Sequence, residues 1–191
     1  MIIRCDWCLN DQAYIDYHDK EWGVPVRDDQ LLFEFLSLEG AQAGLSWLTV
    51  LKRRDEYRKA FLNFNIKKVS QMTQKNEKYI LENSGVIKNK LKIKSVINNA
   101  KLVIELQKKD GSFSNFIWQY VDNKPINHSI SDFSKVPVFD DIALAISKDL
   151  KNMGFNFVGP TICYAFMQAI GMVNDHKTDC FRYKTLNNHS L

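Results

Sequence analysis

Tyr79-Ile80-Leu81-Glu82-Asn83-Ser84-Gly85-Val86-Ile87-Lys88-Asn89-Lys90 is the stretch that decides the fold. Tyr79 to Leu81 ends one helix, Ser84 to Asn89 makes a tight turn around Gly85, and Lys90 starts another helix. That second helix is long. Ile93, Ile97, Ala100 and Ile104 recur at 4-3-4 spacing, a buried stripe, and the pattern runs to about Lys109 before Asp110-Gly111 stops it. Lys90, Lys94, Lys101 and Lys108 form a second row along it. A solvated face is the ordinary account of such a row, and a row facing phosphates is the sharper one. Helix, glycine-containing turn and basic helix in succession aim backbone N–H groups and a helix N-terminus at a phosphate.

Outward from this hairpin the pattern stays helical, so the expected fold class is all-α. Asp11 to Trp22 reads as a short helix closed by Gly23-Val24-Pro25. Asp28 caps a second helix toward Ala43, and Gly44 stops it. Ser46 caps a third, to about Phe61. Short helices are expected near Ile66–Met72 and Glu77–Asn83, and another over Phe113–Val121. Asp122 to Pro137 is polar and irregular, the best candidate linker. Asp140 caps a helix to Asn152, and Gly159-Pro160 opens a last one to about Gly171. No strand pattern stands out. His128 and His189 read as ordinary surface histidines, and Lys184 to Leu191 as a disordered tail. Residues 1–191 are expected to form a single globular domain.

Apolar residues make up 45% of the 191, enough for a folded core rather than a disordered chain. No apolar run is long enough to span a membrane. Met1-Ile2-Ile3-Arg4-Cys5-Asp6 lacks the apolar segment of a signal peptide. Four cysteines without an export signal point to the reducing cytoplasm, where cysteine favours metal over disulfide. The net charge of +4 suits a polyanionic partner without requiring one.

Cys5 and His18 lie near one end of the chain, and His176 and Cys180 near the other. Two sulfurs and two imidazoles make a complete tetrahedral zinc set. His176-x3-Cys180 fits one helical turn, with both side chains on one face. Cys5-Asp6-Trp7-Cys8 is a C-x2-C pair, so spacing alone leaves Cys5 and Cys8 as alternatives, and a small buried hydrophobe remains the plain reading of either. Cys163, inside an apolar helical stretch, reads as core. Four protein ligands leave no open position for catalysis. The zinc therefore reads as a clasp, and closing so long a loop contributes on the order of 4–5 kcal/mol.

Tyr14, Tyr17 and His18 share a helix face, with Trp22 one turn on and Trp7 just before. Most such groups are core. The anomaly is Glu39, which lies three, four and seven residues after Leu36, Phe35 and Leu32, on an apolar stripe. A carboxylate buried there has to be paired, neutralised or used. A structural partner such as an Arg or a helix N-terminus is the plain account. Small residues follow it, and Leu45 stands as an apolar tip on the turn before Trp47. Aromatic walls plus an acid make a trap for a flat cationic ring, and a flipped alkylated DNA base is such a ring.

Cys5-Asp6-Trp7, Tyr14 through Pro25, Leu38 through Trp47, Phe155 through Gly159 and Val173 through His176 together resemble the bacterial 3-methyladenine DNA glycosylase I family, over essentially the whole chain. The resemblance implies a helix-hairpin-helix glycosylase fold whose N- and C-termini are joined by one structural zinc on Cys5, His18, His176 and Cys180, leaving Cys8 a bystander. It implies Glu39, Tyr17 and Trp47 as the catalytic, base-holding residues, with Trp7, Tyr14 and Trp22 around them. Gln42, Gly44 and Leu45 match the segment that invades the gap left by the flipped base, and Gly85, Lys88 and Lys90 match the DNA-binding hairpin. The implied partners are alkylated double-stranded DNA and the product 3-methyladenine. The protein is expected to be a monomer. Pro160 and Ala165 stand where the family pattern has small hydroxyl residues. The superfamily's catalytic Asp has only Asp110 as a nearby match, and that residue reads as a helix-ending turn. Two rivals remain: a zinc-stapled DNA-binding module without catalysis, and a zinc hydrolase acting on a small molecule.

Overall fold

The structure, a computed structural model, describes residues 2–187. Its elements run α1 (Gln12–Lys20), α2 (Asp29–Gln42), α3 (Trp47–Leu51), α4 (Arg54–Ala60), α5 (Ile66–Ser70), α6 (Gln74–Asn83) and α7 (Lys90–Asp110). After these come α8 (Phe113–Trp118), β1 (Ile126–Asn127), α9 (Asp141–Asn152), α10 (Pro160–Ala169), β2 (Val173–Asn174) and α11 (Phe181–Asn187). No helix is long and apolar enough to cross a membrane among the described residues.

The core is organised around α2. Asp28 starts this helix by accepting a hydrogen bond from the Leu31 N–H, 2.8 Å. From Leu32 to Ala41 every residue is buried, so α2 is a central helix covered on all sides rather than an amphipathic one. It packs against α3, α7, α8 and α10. Each of Leu32, Phe33, Phe35, Leu36 and Leu38, fully or almost fully buried, stabilises the fold by roughly 1.5–3 kcal/mol. Gly40 lets the loop before α10 come close, because a Cβ there would lie 3.2 Å from Phe157 Cβ and 3.3 Å from its carbonyl.

The hairpin forms as its sequence predicts. α6 ends at Asn83, residues 84–89 turn on the buried Val86, and Asn89 caps α7 by accepting from the Leu91 and Lys92 N–H groups. Ile93, Ile97 and Ala100 are buried, and Lys90, Lys94, Lys101 and Lys108 are exposed.

Several expectations are corrected. Ser46–Phe61 is two helices, because the chain turns at Lys52-Arg53 and so swings Arg54 inward to the buried Glu34, 2.6 Å. A strand pair exists where none was expected. Ile126 pairs with Val173 and Asn127 with Asn174 in parallel, tying the supposed linker to the segment after α10. Two residues per strand are too few for alternation to show. His176–Cys180 is a turn, not a helical turn, and one backbone bridge joins Ile130 to Lys177. Within the expected disordered tail, 184–187 belong to α11, which Asn187 fastens by accepting from Asn127 Nδ2, 2.8 Å, and Asn174 Nδ2, 3.2 Å. The rest of that tail, with His189, lies outside the described residues.

Candidate active site and metal centre

Cys5, His18, His176 and Cys180 converge from the two ends of the chain. All four are buried, and their donor atoms lie within 4.8 Å of one another. Cys5 Sγ is 3.7 Å from His176 Nδ1, and Cys180 Sγ is 3.7 Å from the same nitrogen and 3.5 Å from His18 Nε2. Tetrahedral zinc–sulfur and zinc–nitrogen bonds imply sulfur–nitrogen edges of about 3.5 Å. The outer ring atoms also fit. His18 Nδ1 sits 2.8 Å from Asp19 Oδ1, and His176 Nε2 sits 3.0 Å from the Trp22 carbonyl. Each acceptor takes the N–H, which leaves the lone pair of the other nitrogen facing the cluster. Burial pushes the Asp19 carboxyl up, but hydrogen bonds from Arg4 and His18 outweigh it and hold it below the usual range. Cys5 and Cys180 titrate oppositely, because the hydrogen bond between them raises the first and lowers the second. A cation between them would let both become thiolates. The group could therefore hold a metal. Cys8 is not in it: its Sγ donates to the Cys5 carbonyl, 3.1 Å, and burial pushes its thiol up to about 11. Cys163 is buried core.

His128 is not an ordinary surface histidine. Its Nδ1 lies 2.7 Å from the buried Asp175 carboxylate, and that bond raises its pKa. Asp175 also accepts from Tyr164 and Gln168.

An aromatic cavity of about 270 Å³ adjoins the cluster. Trp7, Tyr14, Tyr17, Trp22 and Trp47 form walls, and Glu39, Gln42, Phe133, Ala165 and Gln168 complete the lining. The Trp22 ring lies 4.5 Å from that of His176 and 5.1 Å from that of Trp7, so the Cys/His cluster backs one wall. Tyr17 and Trp47 meet at 5.4 Å, tilted by 53°. Tyr14 fixes α3 by accepting the Leu48 N–H through its hydroxyl, 3.0 Å.

Helix α2 buries two carboxylates, and their difference marks the site. Glu34 accepts from Arg54 Nε at 2.6 Å and from Arg58 Nε at 3.0 Å. Glu39 has no hydrogen-bond or ion-pair partner among the described residues, which removes the Arg account of its burial. That burial raises its carboxyl to about 8. The Tyr17 hydroxyl is raised well above the ordinary tyrosine value, by burial first and by Glu39 next. The buried Trp47 indole N–H also has no partner among the described residues. A cavity with a cationic guest would match these groups.

Beside the cavity the chain makes a type II turn over Gln42-Ala43-Gly44-Leu45. The Leu45 N–H donates to the Gln42 carbonyl, 2.6 Å, Ala43 is extended, and Gly44 has φ +76°. Leu45 at its tip is 40% exposed. The hairpin lies within reach of the same surface: Leu45 and residues 84–88 line one shallow depression. There Lys88 folds back to donate to the Ser84 carbonyl, 2.5 Å, and Arg53 donates to the Gly85 carbonyl, 2.8 Å. Lys90 projects from the first turn of α7 into a separate cleft with Lys75, Lys78 and Lys94.

Phe133, Gln168 and Lys92 escaped the sequence reading. Phe133 lies in the irregular stretch, where the only signal is an aromatic in a polar loop. Gln168 follows Ala165 at i+3 on α10. Asp110 does not line the cavity, and neither does Pro160, which takes the first position of α10, where its missing N–H costs nothing. Ala165 does line it.

A cavity that can box a flat cation, next to a basic helical hairpin, defines the class of helix-hairpin-helix DNA glycosylases. Within that class the chain belongs to the methyladenine glycosylase family, whose model matches residues 7–183. It is 48% identical to the DNA-3-methyladenine glycosylase of Haemophilus influenzae, over 94% of this chain and 97% of that one. To DNA-3-methyladenine glycosylase 1 of Escherichia coli it is 43% identical, over 94% and 96%. A crystal structure of a 3-methyladenine DNA glycosylase I superposes with a TM-score of 0.91 at 45% identity, covering 94% of this chain and 98% of that one. A Staphylococcus aureus 3-methyladenine DNA glycosylase I, solved for its recognition of 3-methyladenine, superposes at 0.90 with 37% identity, over 93% and 95%.

Proposed function

We propose that this protein is a base-excision repair enzyme that hydrolyses the N-glycosidic bond of 3-methyladenine in alkylated duplex DNA, giving free base and an abasic site. The observation that carries the reading is Glu39, a buried carboxylate without a partner inside an aromatic box. Methylation at N3 makes the base cationic and weakens its bond to the sugar, so the leaving group arrives already activated. The protein's task is to hold the extruded base while the bond to the sugar opens. Protonated at neutral pH in the empty cavity, Glu39 releases its proton to solvent as the cationic base enters, and the carboxylate then accepts hydrogen bonds from the adenine edge and balances its charge. Tyr17 and Trp47 pack on the ring, with Trp7, Tyr14 and Trp22 around them. Water then attacks the sugar carbon. No lysine lines the cavity among the described residues, so no Schiff base forms and the strand stays uncut.

Leu45, held out by Gly44 and flanked by Gln42, fills the gap left by the flipped nucleotide. The hairpin with Gly85, Lys88 and Lys90 grips the backbone. Cys5, His18, His176 and Cys180 hold one structural zinc, which supplies a tie between the chain ends. The protein acts as a monomeric, single-domain enzyme in the cytoplasm. A non-catalytic DNA-binding module would have no use for an unpaired Glu39, and a zinc hydrolase needs an open ligand position.

The test is chromatography of bases released from N-methylated duplex DNA. Wild type releases 3-methyladenine, and Glu39→Gln loses excision by a larger factor than it loses binding to undamaged DNA. Equal losses in both would remove the role given to Glu39. No release by folded, zinc-loaded wild type would leave the non-catalytic module as the function.

A further inference from the structure

Lys92 is a lysine almost out of reach of solvent, 7% exposed, in the first turn of α7. Its Nζ donates to the carbonyls of Ala41, 2.8 Å, and Ala43, 2.6 Å. Those carbonyls belong to the C-terminal end of α2, where helix geometry leaves the last C=O groups without intrahelical partners and the helix dipole favours a cation. They also bracket Gln42 and lead straight into the Gly44-Leu45 turn. Burial lowers the Lys92 pKa. Taking an ammonium out of water is costly unless its N–H groups are spent on acceptors, and a methionine would fill the same volume without that cost. The hydrogen bonds are therefore what the lysine is there to make.

The residues around it show what those bonds connect. Asn89, which caps α7, accepts from the Lys92 backbone N–H, 3.1 Å, so Lys92 is rigidly continuous with the hairpin turn at residues 84–89. Arg53 holds the other side of that turn through the Gly85 carbonyl. The element that meets the DNA backbone and the turn that carries Leu45 are thus joined by one side chain. We propose that Lys92 is a positioning residue that fixes the Gln42–Leu45 turn to the hairpin, so that gripping the backbone places Leu45 in the stack. The inference rests on the excision reading and on Leu45 as the inserted side chain. Lys92 touches neither base nor phosphate in this role.

The experiment compares wild type, Lys92→Met and Leu45→Ala, zinc-loaded, in three readouts. These are the single-turnover excision rate from N-methylated duplex DNA, the affinity for free 3-methyladenine by tryptophan quenching, and the salt dependence of duplex binding. In Lys92→Met, excision is expected to fall by about tenfold to a hundredfold, the scale of a misplaced positioning group, with free-base affinity within about twofold. The salt slope should be unchanged, whereas removal of a phosphate-binding cation would lower it by about 0.9. Excision near the wild-type rate would overturn the inference. So would a parallel loss of excision and free-base affinity, which marks a mere support of the fold, and so would a lowered salt slope, which marks a direct bond to phosphate. If Leu45→Ala is impaired while Lys92→Met is not, this inference falls alone. If Leu45→Ala excises normally, the inserted-residue reading falls and takes this one with it. If wild type itself releases no base, the excision reading fails first. Should Lys92→Met not fold, Lys92→Arg keeps the charge but misplaces the donors, and is read by the same criteria.

Discussion

Glu34 and Glu39 sit on one helix and both are buried. The apolar spacing singles out only Glu39, because Glu34 breaks the stripe less visibly. The Glu34 partners Arg54 and Arg58 lie 20 and 24 residues away, a separation at which spacing says nothing. A stability prediction belongs to Glu39. Its folded carboxyl titrates near 8, above the unfolded glutamate value of about 4.3. The native state therefore binds the proton more tightly, and stability falls as pH rises between those two values. The contribution is full below the unfolded pKa and gone once pH passes the folded one. Glu39→Gln abolishes the effect. Denaturant unfolding should show wild type losing about 2–3 kcal/mol relative to the variant between pH 6 and pH 9. A constant difference over that range would mean that Glu39 is ionised and solvated in the folded protein.

The elements that sequence reads well are those whose reason is local. α7 shows its stripe, its Asn cap and its Gly stop within one continuous segment, and α2 shows its Asp cap. The hairpin between α6 and α7 was legible because Gly85 and the following lysines are adjacent in sequence. The break at Lys52-Arg53 was not, since Glu34, the buried carboxylate that Arg54 meets beyond it, lies 20 residues away in the chain. β1 and β2 were not, since each is two residues long and finds its partner 47 residues away in the chain. The cavity was legible in Trp7, Tyr14, Tyr17, Trp22 and Trp47, clustered before and after Glu39. It was not legible in Phe133 or Gln168, which the fold brings in from elsewhere. At this scale α7 carries its own prediction. Lys90 and Lys94 line a cleft with Lys75, Glu77 and Lys78, and neither Lys90 nor Lys94 forms an ion pair among the described residues. Removing both should lower the salt slope of duplex binding by up to about 1.8, at about 0.9 for each phosphate no longer neutralised. Free 3-methyladenine affinity should not change. An unaltered slope would make the lysine row a solvated face.

Across the whole molecule the ends of the chain are the structural problem. Residues 2–11 contain no α-helix or strand, and such a terminus frays unless tied down. The four-donor cluster ties it, and the same cluster backs the cavity: His176 bonds the Trp22 carbonyl, and Tyr17 precedes His18 in the helix that carries both. Metal binding should therefore couple to stability and to the pocket at once. One zinc per chain is expected by elemental analysis. Stripping it, or replacing Cys180 by Ser, should remove on the order of 4–5 kcal/mol. In a chain of this size that corresponds to a thermal midpoint lower by about 10–20 °C. Free-base binding should weaken with it, because the Trp22 wall loses its backing, and Cys8→Ser should do neither. The decisive comparison is excision against folded fraction in zinc-stripped protein. If the two fall together, the metal is a clasp that holds the pocket in shape. If excision vanishes while the fold and the thermal midpoint stay intact, the metal takes part in the chemistry, and its four protein ligands cannot all be bound during turnover.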